Sequence, residues 1–359
     1  MTRPSHIQVN LQALRNNYQW ACELAPQSKT MAIIKADAYG HGAVACARAL
    51  DDLAPAYGVA CIEEALQLRQ AGINKPILLL EGIFTDDEIA TAAEQDLWMM
   101  VEDPWQVDAI VNAKLQQPVQ VWTKMDTGMH RLGLAPFRLP ELLAKLQASP
   151  NVCNGIVMAS HFACADELNN DFTRQQIALF HSHLPSPDMP FSLANSAAIM
   201  AWPESHGHWN RAGFMLYGNT PLDAEHDSNL GLTPVMSLNS SVISLRQVAV
   251  GEAVGYGQLW KAQRPSIIAT VAMGYADGYP RHASTGTPVL INGQRAPIIG
   301  RVSMDMITID VTDLSGVCLG SPVCFWGHDL NANEVASHIG TIGYELITRM
   351  GQRLPKIYV

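Results

Sequence analysis

No run of lysine and arginine, no apolar stretch of membrane-spanning length and no C-x-x-C pair occurs in this sequence. With 33 acidic against 23 basic residues and a net charge of −10, the chain is a poor partner for nucleic acid or an acidic membrane surface. A local basic pocket remains compatible with that balance. The missing apolar stretch removes a transmembrane helix from consideration. The seven cysteines (22, 46, 61, 153, 164, 318 and 324) are odd in number and sit mostly within apolar runs. They read as small buried residues in a reducing compartment. The first residues, Met1 to Ile7, lack the apolar core of a signal peptide, so a cytoplasmic protein is expected. Also missing are G-x-G-x-x-G after the first strand, a P-loop and a G-x-S-x-G elbow. Their absence argues against a dinucleotide fold, a nucleotide triphosphatase and a serine hydrolase.

What is present is a rhythm. From residue 30 short apolar strands alternate with amphipathic helices. The expected strands are 30–35, 57–60, 77–80, 97–100, 119–123, 154–160, 190–194 and about 208–212. Helices are expected at 62–71, 86–94, 104–115, 139–148 and 169–184, and Asn10 should cap a helix carrying Leu11, Leu14, Tyr18 and Cys22. Eight strands alternating with helices predict a parallel sheet closed as a (β/α)8 barrel, with an open doubly wound sheet as the alternative. After about residue 230 helical periodicity fades and strand-like runs take over, interrupted by one helix near 331–339. The expectation is a barrel over 10–230 and a mostly β domain over 231–359, with a short strand at Ile7-Gln8-Val9 ahead of the barrel. The polar loop 223–229 is the expected boundary.

A barrel places its chemistry where strands end at their C-terminal side. Thr30-Met31-Ala32-Ile33-Ile34 leads into Lys35-Ala36-Asp37-Ala38-Tyr39-Gly40-His41-Gly42. A lysine at the end of a buried strand either snorkels to water or, desolvated, forms a Schiff base. The other strand ends supply Lys124 to Gly133, His161 and Asp166, Asn195-Ser196, and Arg211 followed by Gly213. Asn195-Ser196 and Gly213 suit a phosphate held by backbone N–H groups. A Schiff-base lysine opposite a phosphate site suggests pyridoxal phosphate. Each residue also has a plainer reading. His161 suits a packed ring, Arg131 a surface pair with Asp126, and a tyrosine between glycines a turn residue. His181/His183 and His206/His208 lack the spacing and companions of a metal site.

The stretch from Lys35 to Gly42 resembles the cofactor-attachment motif of bacterial alanine racemases. The likeness extends in order through Lys124 to Gly133, His161-Phe162-Ala163, Asn195 to Ala198, Arg211 to Gly218, Gly255-Tyr256-Gly257, Gly274 to Pro280, Arg301 to Asp305, and Tyr344-Glu345. The resemblance implies a barrel plus β domain, with the N-terminal strand within 1–9 joining the β domain, pyridoxal phosphate as cofactor and a head-to-tail homodimer with composite sites. Lys35 would hold the cofactor and serve as base for D-alanine, and Tyr256 of the second subunit as base for L-alanine. Arg211 would face the pyridine nitrogen, supported by His161. Tyr39, Asn195, Ser196, Gly213, Phe214 and Tyr344 would bind the cofactor. Arg131 and the backbone of Met304 would orient the substrate carboxylate. Asp166, Tyr275, Arg281, Arg301 and Tyr344 would line the entrance, and Lys124 matches a lysine that is carbamylated in many members. No metal is implied.

Two departures stand out, Asp37 where many relatives carry Asn and Ser303 where some carry Cys. Neither falls on an assigned chemical role. A racemase of broader specificity, acting on serine or lysine, is the nearest alternative. A decarboxylase conflicts with Arg211 at the pyridine nitrogen, and a non-catalytic cofactor-binding barrel would lack the domain that carries Tyr256.

Overall fold

The computed structural model describes residues 3–222 and 226–359. Part of the expected boundary loop, Asp223 to Glu225, and the first two residues of the 1–9 segment expected to hold a strand lie outside them. Nine strands come first: β1 (His6–Val9), β2 (Lys29–Ile33), β3 (Tyr57–Val59), β4 (Ile77–Leu79), β5 (Leu97–Val101), β6 (Val121–Lys124), β7 (Val157–Ala159), β8 (Phe191–Ser192) and β9 (Trp209–Ala212). Strands β2 to β9 form one parallel sheet in which β2 pairs with both β3 and β9. The first and last strands therefore meet, and the open-sheet alternative is ruled out. The seam between β8 and β9 carries no ladder. It is bridged by the Arg211 N–H donating to Ala194 O at 2.9 Å.

The barrel is filled by alternation. On β2, Met31 and Ile33 point inward while Ala32 and Ile34 pack toward the helices. The inward set also contains Leu78, Met100, Trp122, Val157, Ala159 and Trp209. Trp98, Trp122 and Trp209 lie 5.6–6.1 Å from one another. Burying such rings contributes a few kcal/mol each, about 1.5–3 for a side chain of this class. Continue five of these inward rows two residues further and the apolar supply ends, at Lys35, Glu102, Lys124, His161 and Arg211.

The second domain is built on β10 (Met236–Val248), β11 (Ala253–Val254), β12 (Trp260–Lys261), β13 (Ser266–Val271), β14 (Pro288–Ile291), β15 (Gln294–Ile299), β16 (Ile307–Asp310), β17 (Pro322–Trp326) and β18 (Lys356–Tyr358). β1 lies between β10 and β18 in its main sheet. The helix expected near 331–339 is Ala332–Ile339, and a second, Gly343–Thr348, follows it. That one opens on glycine and is too short to show periodicity. β18 is held by its parallel pairing with β1, a non-local interaction that no local sequence pattern signals.

The two glycines after Tyr39 make domain contacts. A Cβ on Gly40 would stand 2.2 Å from Ile347 O, and one on Gly42 would stand 2.1 Å from the Tyr358 hydroxyl. Their φ values of +82° and +100° also favour glycine. Between them His41 is fully buried, its ring stacked on Tyr217 at 4.5 Å. Nδ1–H donates to the carbonyls of Ala38 and Tyr39, while Nε2 is without a partner. Burial pushes the pKa of this ring down to about 4 from the ordinary 6.5. Between those values the folded chain binds fewer protons here than the unfolded chain, so stability rises with pH across that window. We expect this ring to cost about 2–3 kcal/mol of stability as the pH falls from about 6.5 to about 4. His41→Phe should remove that share of the slope in urea titrations run at each pH.

Candidate active site

At the mouth of the barrel lies a cavity of about 680 Å³. Lys35, Tyr39, Lys124, Arg131, His161, Asn195, Ser196, Arg211, Gly213, Phe214 and Tyr344 all line it. Eleven residues singled out from the sequence thus converge here, from five barrel strand ends and one helix of the β domain.

Arg211 is buried. Its Nη1 donates to Ser192 O at 2.9 Å and Ser192 Oγ at 2.7 Å, and its Nη2 to Ser160 O at 2.7 Å and Leu193 O at 3.2 Å. These acceptors are neutral, so they satisfy the N–H groups without neutralising the charge. Burial pushes its pKa down to about 10, which still leaves it a cation at neutral pH. Nη2 also reaches Nδ1 of His161 at 3.4 Å. Burial and the nearby cations Arg211, Lys124, Arg131 and Lys35 hold His161 well below its ordinary pKa. Arginine only donates, so Nδ1 is the bare nitrogen of a neutral ring.

Arg131 does not pair with Asp126. That carboxylate accepts N–H groups from Gly128 and His130 at 3.0 Å each and binds the His130 ring at 2.7 Å. Arg131 is left facing the cavity. Among the described residues no carboxylate pairs with Lys35, Arg131 or Arg211. Lys124 is different, since its Nζ donates to Glu102 at 2.5 Å. Glu102 is only 4% exposed. Burial pushes the Lys124 ammonium down and the Glu102 carboxyl up, and their attraction offsets both.

The opposite wall has the features of an anion cradle. Asn195 caps the helix Ser196–Ala201 by accepting Ala198 N–H, and Ser196 Oγ accepts N–H groups of Gly213 and Met215 at 3.0 and 3.2 Å. A Cβ on Gly213 would come within 2.9 Å of the Tyr39 hydroxyl. The Tyr344 ring stacks on Phe214 with centroids 3.5 Å apart. Burial raises the pKa of Tyr39 to about 12 and that of Tyr344 further, so both are neutral phenols able to donate.

Lys35 is aimed by an unusual backbone. Ala36, Asp37, Ala38 and Tyr39 have φ of +52° to +54°, one left-handed turn made without glycine. Such a turn costs roughly 1–2 kcal/mol per residue. It is tied down by Ala38 N–H to Ile34 O and Gly40 N–H to Ala36 O. The Asp37 carboxylate accepts Ala43 N–H and pairs with Lys356 of β18.

This chain's cavity does not contain Tyr256, Tyr275, Arg281, Arg301 or Met304. Tyr256 is 70% exposed, and Leu259, Met304 and Met306 of the same β domain are exposed too. Asp166 is not in the lining, but its charge acts on Tyr344.

The alanine racemase N-terminal domain family matches residues 9–221 and the alanine racemase C-terminal domain family matches 235–358. The chain belongs to the alanine racemase family. The alanine racemase of Chromohalobacter salexigens is 50% identical over 358 residues, covering 100% of this chain and 98% of that one. The catabolic alanine racemase of Pseudomonas putida is 50% identical, covering 99% of each. The crystal structure of the biosynthetic alanine racemase from Pseudomonas aeruginosa superposes with a TM-score of 0.96 at 47% identity, covering 100% of both chains.

Sequence reading missed Glu102, although the alternation Trp98, Met100, Glu102 along β5 placed it on the inward row. It also missed the carbonyls around Arg211, for which no side-chain signal exists. Glu102→Gln would leave the Lys124 ammonium buried without a counter-charge. We expect it to lower the unfolding free energy by about 3 kcal/mol, as measured by urea denaturation.

Proposed function

We propose that this chain interconverts L- and D-alanine, with pyridoxal phosphate held at the barrel mouth and the site completed by a second copy of the chain. The observation that carries this reading is the set of three cations, Lys35, Arg131 and Arg211, left without carboxylate partners around one cavity. The cavity fits the cofactor in three respects. Lys35 is an unpaired amine for its aldehyde, Arg211 a fixed donor for its ring nitrogen, and Tyr39, Ser196, Gly213, Phe214 and Tyr344 a cradle for its phosphate, capped by Asn195. When bound, the cofactor supplies a conjugated ring that delocalises the charge left on the substrate Cα.

The chain's own residues do the rest. Arg211 would donate to the ring nitrogen and, as it stays a cation at neutral pH, would leave that nitrogen unprotonated, which would suppress side reactions needing a stronger electron sink. Neutral His161 accepts from Arg211 and steadies it. Arg131 takes the substrate carboxylate together with the Met304 backbone of the second copy, and Lys124 stands behind Arg131. A carbamate on Lys124 would require Glu102 to take up a proton, for which burial already raises its pKa.

Racemisation needs a base on each face of Cα. Lys35 serves one face, taking the proton from Cα in one direction and giving its own proton to Cα in the other. Tyr256 of the second copy serves the opposite face. Exposed Tyr256, Leu259, Met304 and Met306 on the β domain, exposed Leu132 and Phe137 on the barrel, and exposed Ile342 of the β domain at the cavity support a homodimer that covers them. Asp166, Tyr275, Arg281, Arg301 and Tyr344 would then frame a narrow entrance that admits a methyl side chain. All seven cysteines are unpaired, which supports a cytoplasmic setting. No helix among the described residues is long and apolar enough to cross a membrane.

Lys35→Ala should reduce racemisation at least about a thousandfold, since it removes both attachment and one base. Tyr256→Phe gives the sharper test. The two enantiomers are equal in energy, so net turnover must fall alike in both directions. Exchange of the Cα hydrogen with deuterated solvent need not. D-alanine should still exchange through Lys35 while exchange of L-alanine drops at least about a hundredfold, roughly the least expected on losing a general base. Equal loss of exchange for both would contradict the assignment.

A further inference from the structure

The peptide that follows Lys35 is held by a side chain outside the cavity. Glu64, in the first turn of the helix Ile62–Gln70, accepts the Ala36 N–H at 2.7 Å through one carboxylate oxygen. Its other oxygen accepts the Ala60 N–H at 2.8 Å. Ala60 directly follows β3, and Ala36 begins the left-handed turn after β2. One carboxylate therefore ties together the mouths of two neighbouring barrel strands.

The position of that bond matters. The opening N–H of a helical turn has no acceptor within the turn, and a left-handed turn of non-glycine residues persists only when its surroundings hold it. The Ala36 N–H shares a rigid amide plane with the Lys35 carbonyl. Fixing that plane fixes ψ of Lys35, and with it the direction in which the lysine side chain leaves the strand. A carboxylate suits the task, because a charged acceptor makes the stronger bond and each oxygen accepts independently.

We propose that Glu64 is the positioning residue for Lys35, holding the Ala36 amide so that the lysine amine meets the cofactor aldehyde in the cavity. This rests on the proposed cofactor chemistry. Glu64 touches neither cofactor nor substrate, and its effect passes through the backbone. Glu63, exposed on the same helical turn, makes no such bond and serves as a control.

The test uses the full-length chain, stripped of cofactor and then reloaded with pyridoxal phosphate. Three quantities are read: the rate at which the lysine–cofactor absorbance band forms, kcat per mole of bound cofactor, and amide hydrogen exchange of peptides covering 30–42. Glu64→Ala should slow band formation and lower kcat at least tenfold, keep KM for alanine within threefold, and raise exchange in 30–42 above that in the rest of the barrel. Glu64→Gln, which keeps one acceptor oxygen, should fall between wild type and Glu64→Ala, and Glu63→Gln should match wild type. If Glu64→Ala does not fold, the Glu64→Gln result decides, with a threefold or larger loss expected in the same two rates. Wild-type rates in the folded variant, whatever its stability, would overturn the proposal. A wild-type protein that forms no band at all would instead overturn the cofactor reading.

Discussion

A cation without a carboxylate is the constraint on which this structure turns. A buried guanidinium is expensive unless every N–H finds an acceptor. Arg211 meets that condition for Nη1 and Nη2 with backbone carbonyls, one hydroxyl and the His161 ring, at the seam where β8 and β9 fail to form a ladder. The same side chain closes the barrel and keeps its full charge available to a ligand. Arg131 and Lys35 are left unpaired in a different way. Asp126 is taken up by its own loop, and Glu64 is engaged with backbone N–H groups rather than with the lysine beside it. Of the four cations lining the cavity only Lys124 has a carboxylate partner among the described residues. An anionic ligand entering this mouth therefore meets charge that the fold has kept free.

The barrel was readable because its signal is local and repeated. Apolar runs of three to five residues between amphipathic helices leave few alternatives to a parallel sheet, and the polar residue after each run marks the functional end. Lys35, Lys124, His161 and Arg211 were visible for that reason. Glu102 lay on the same inward parity and was overlooked, because a carboxylate after a strand is ordinarily a solvated turn residue. Glu64 was hidden more deeply. Within Ile62 to Gln70 it reads as a favourable acidic residue in a first turn, and only the fold brings it to Ala36. The left-handed turn could not be inferred, since alanine, aspartate and tyrosine do not call for positive φ. The role of Asp37 changes accordingly. An asparagine would keep the bond to Ala43 but lose the charge pairing with Lys356, a partner more than three hundred residues away in sequence.

The motif from Lys35 to Gly42 therefore does two jobs. Its first half presents the lysine and Tyr39 to the cavity. Its second half, Gly40-His41-Gly42, packs against the helix Gly343–Thr348 and β18, so the β domain is docked directly onto the turn that carries the amine. The stacked pair Phe214–Tyr344 adds a second contact across the same junction. Tyr256 sits exposed and away from its own cavity, so under the proposed function the chain would present its own lysine and lend its tyrosine to a second copy.

The central claim is that each site draws its two bases from two chains. Co-refolding equal amounts of Lys35→Ala and Tyr256→Phe chains tests it most directly, because only the mixed dimer contains a site with both bases intact. Random pairing in a two-fold dimer should restore about a quarter of the wild-type activity per chain, from two inactive parents. A mixture no more active than its parents would contradict the account.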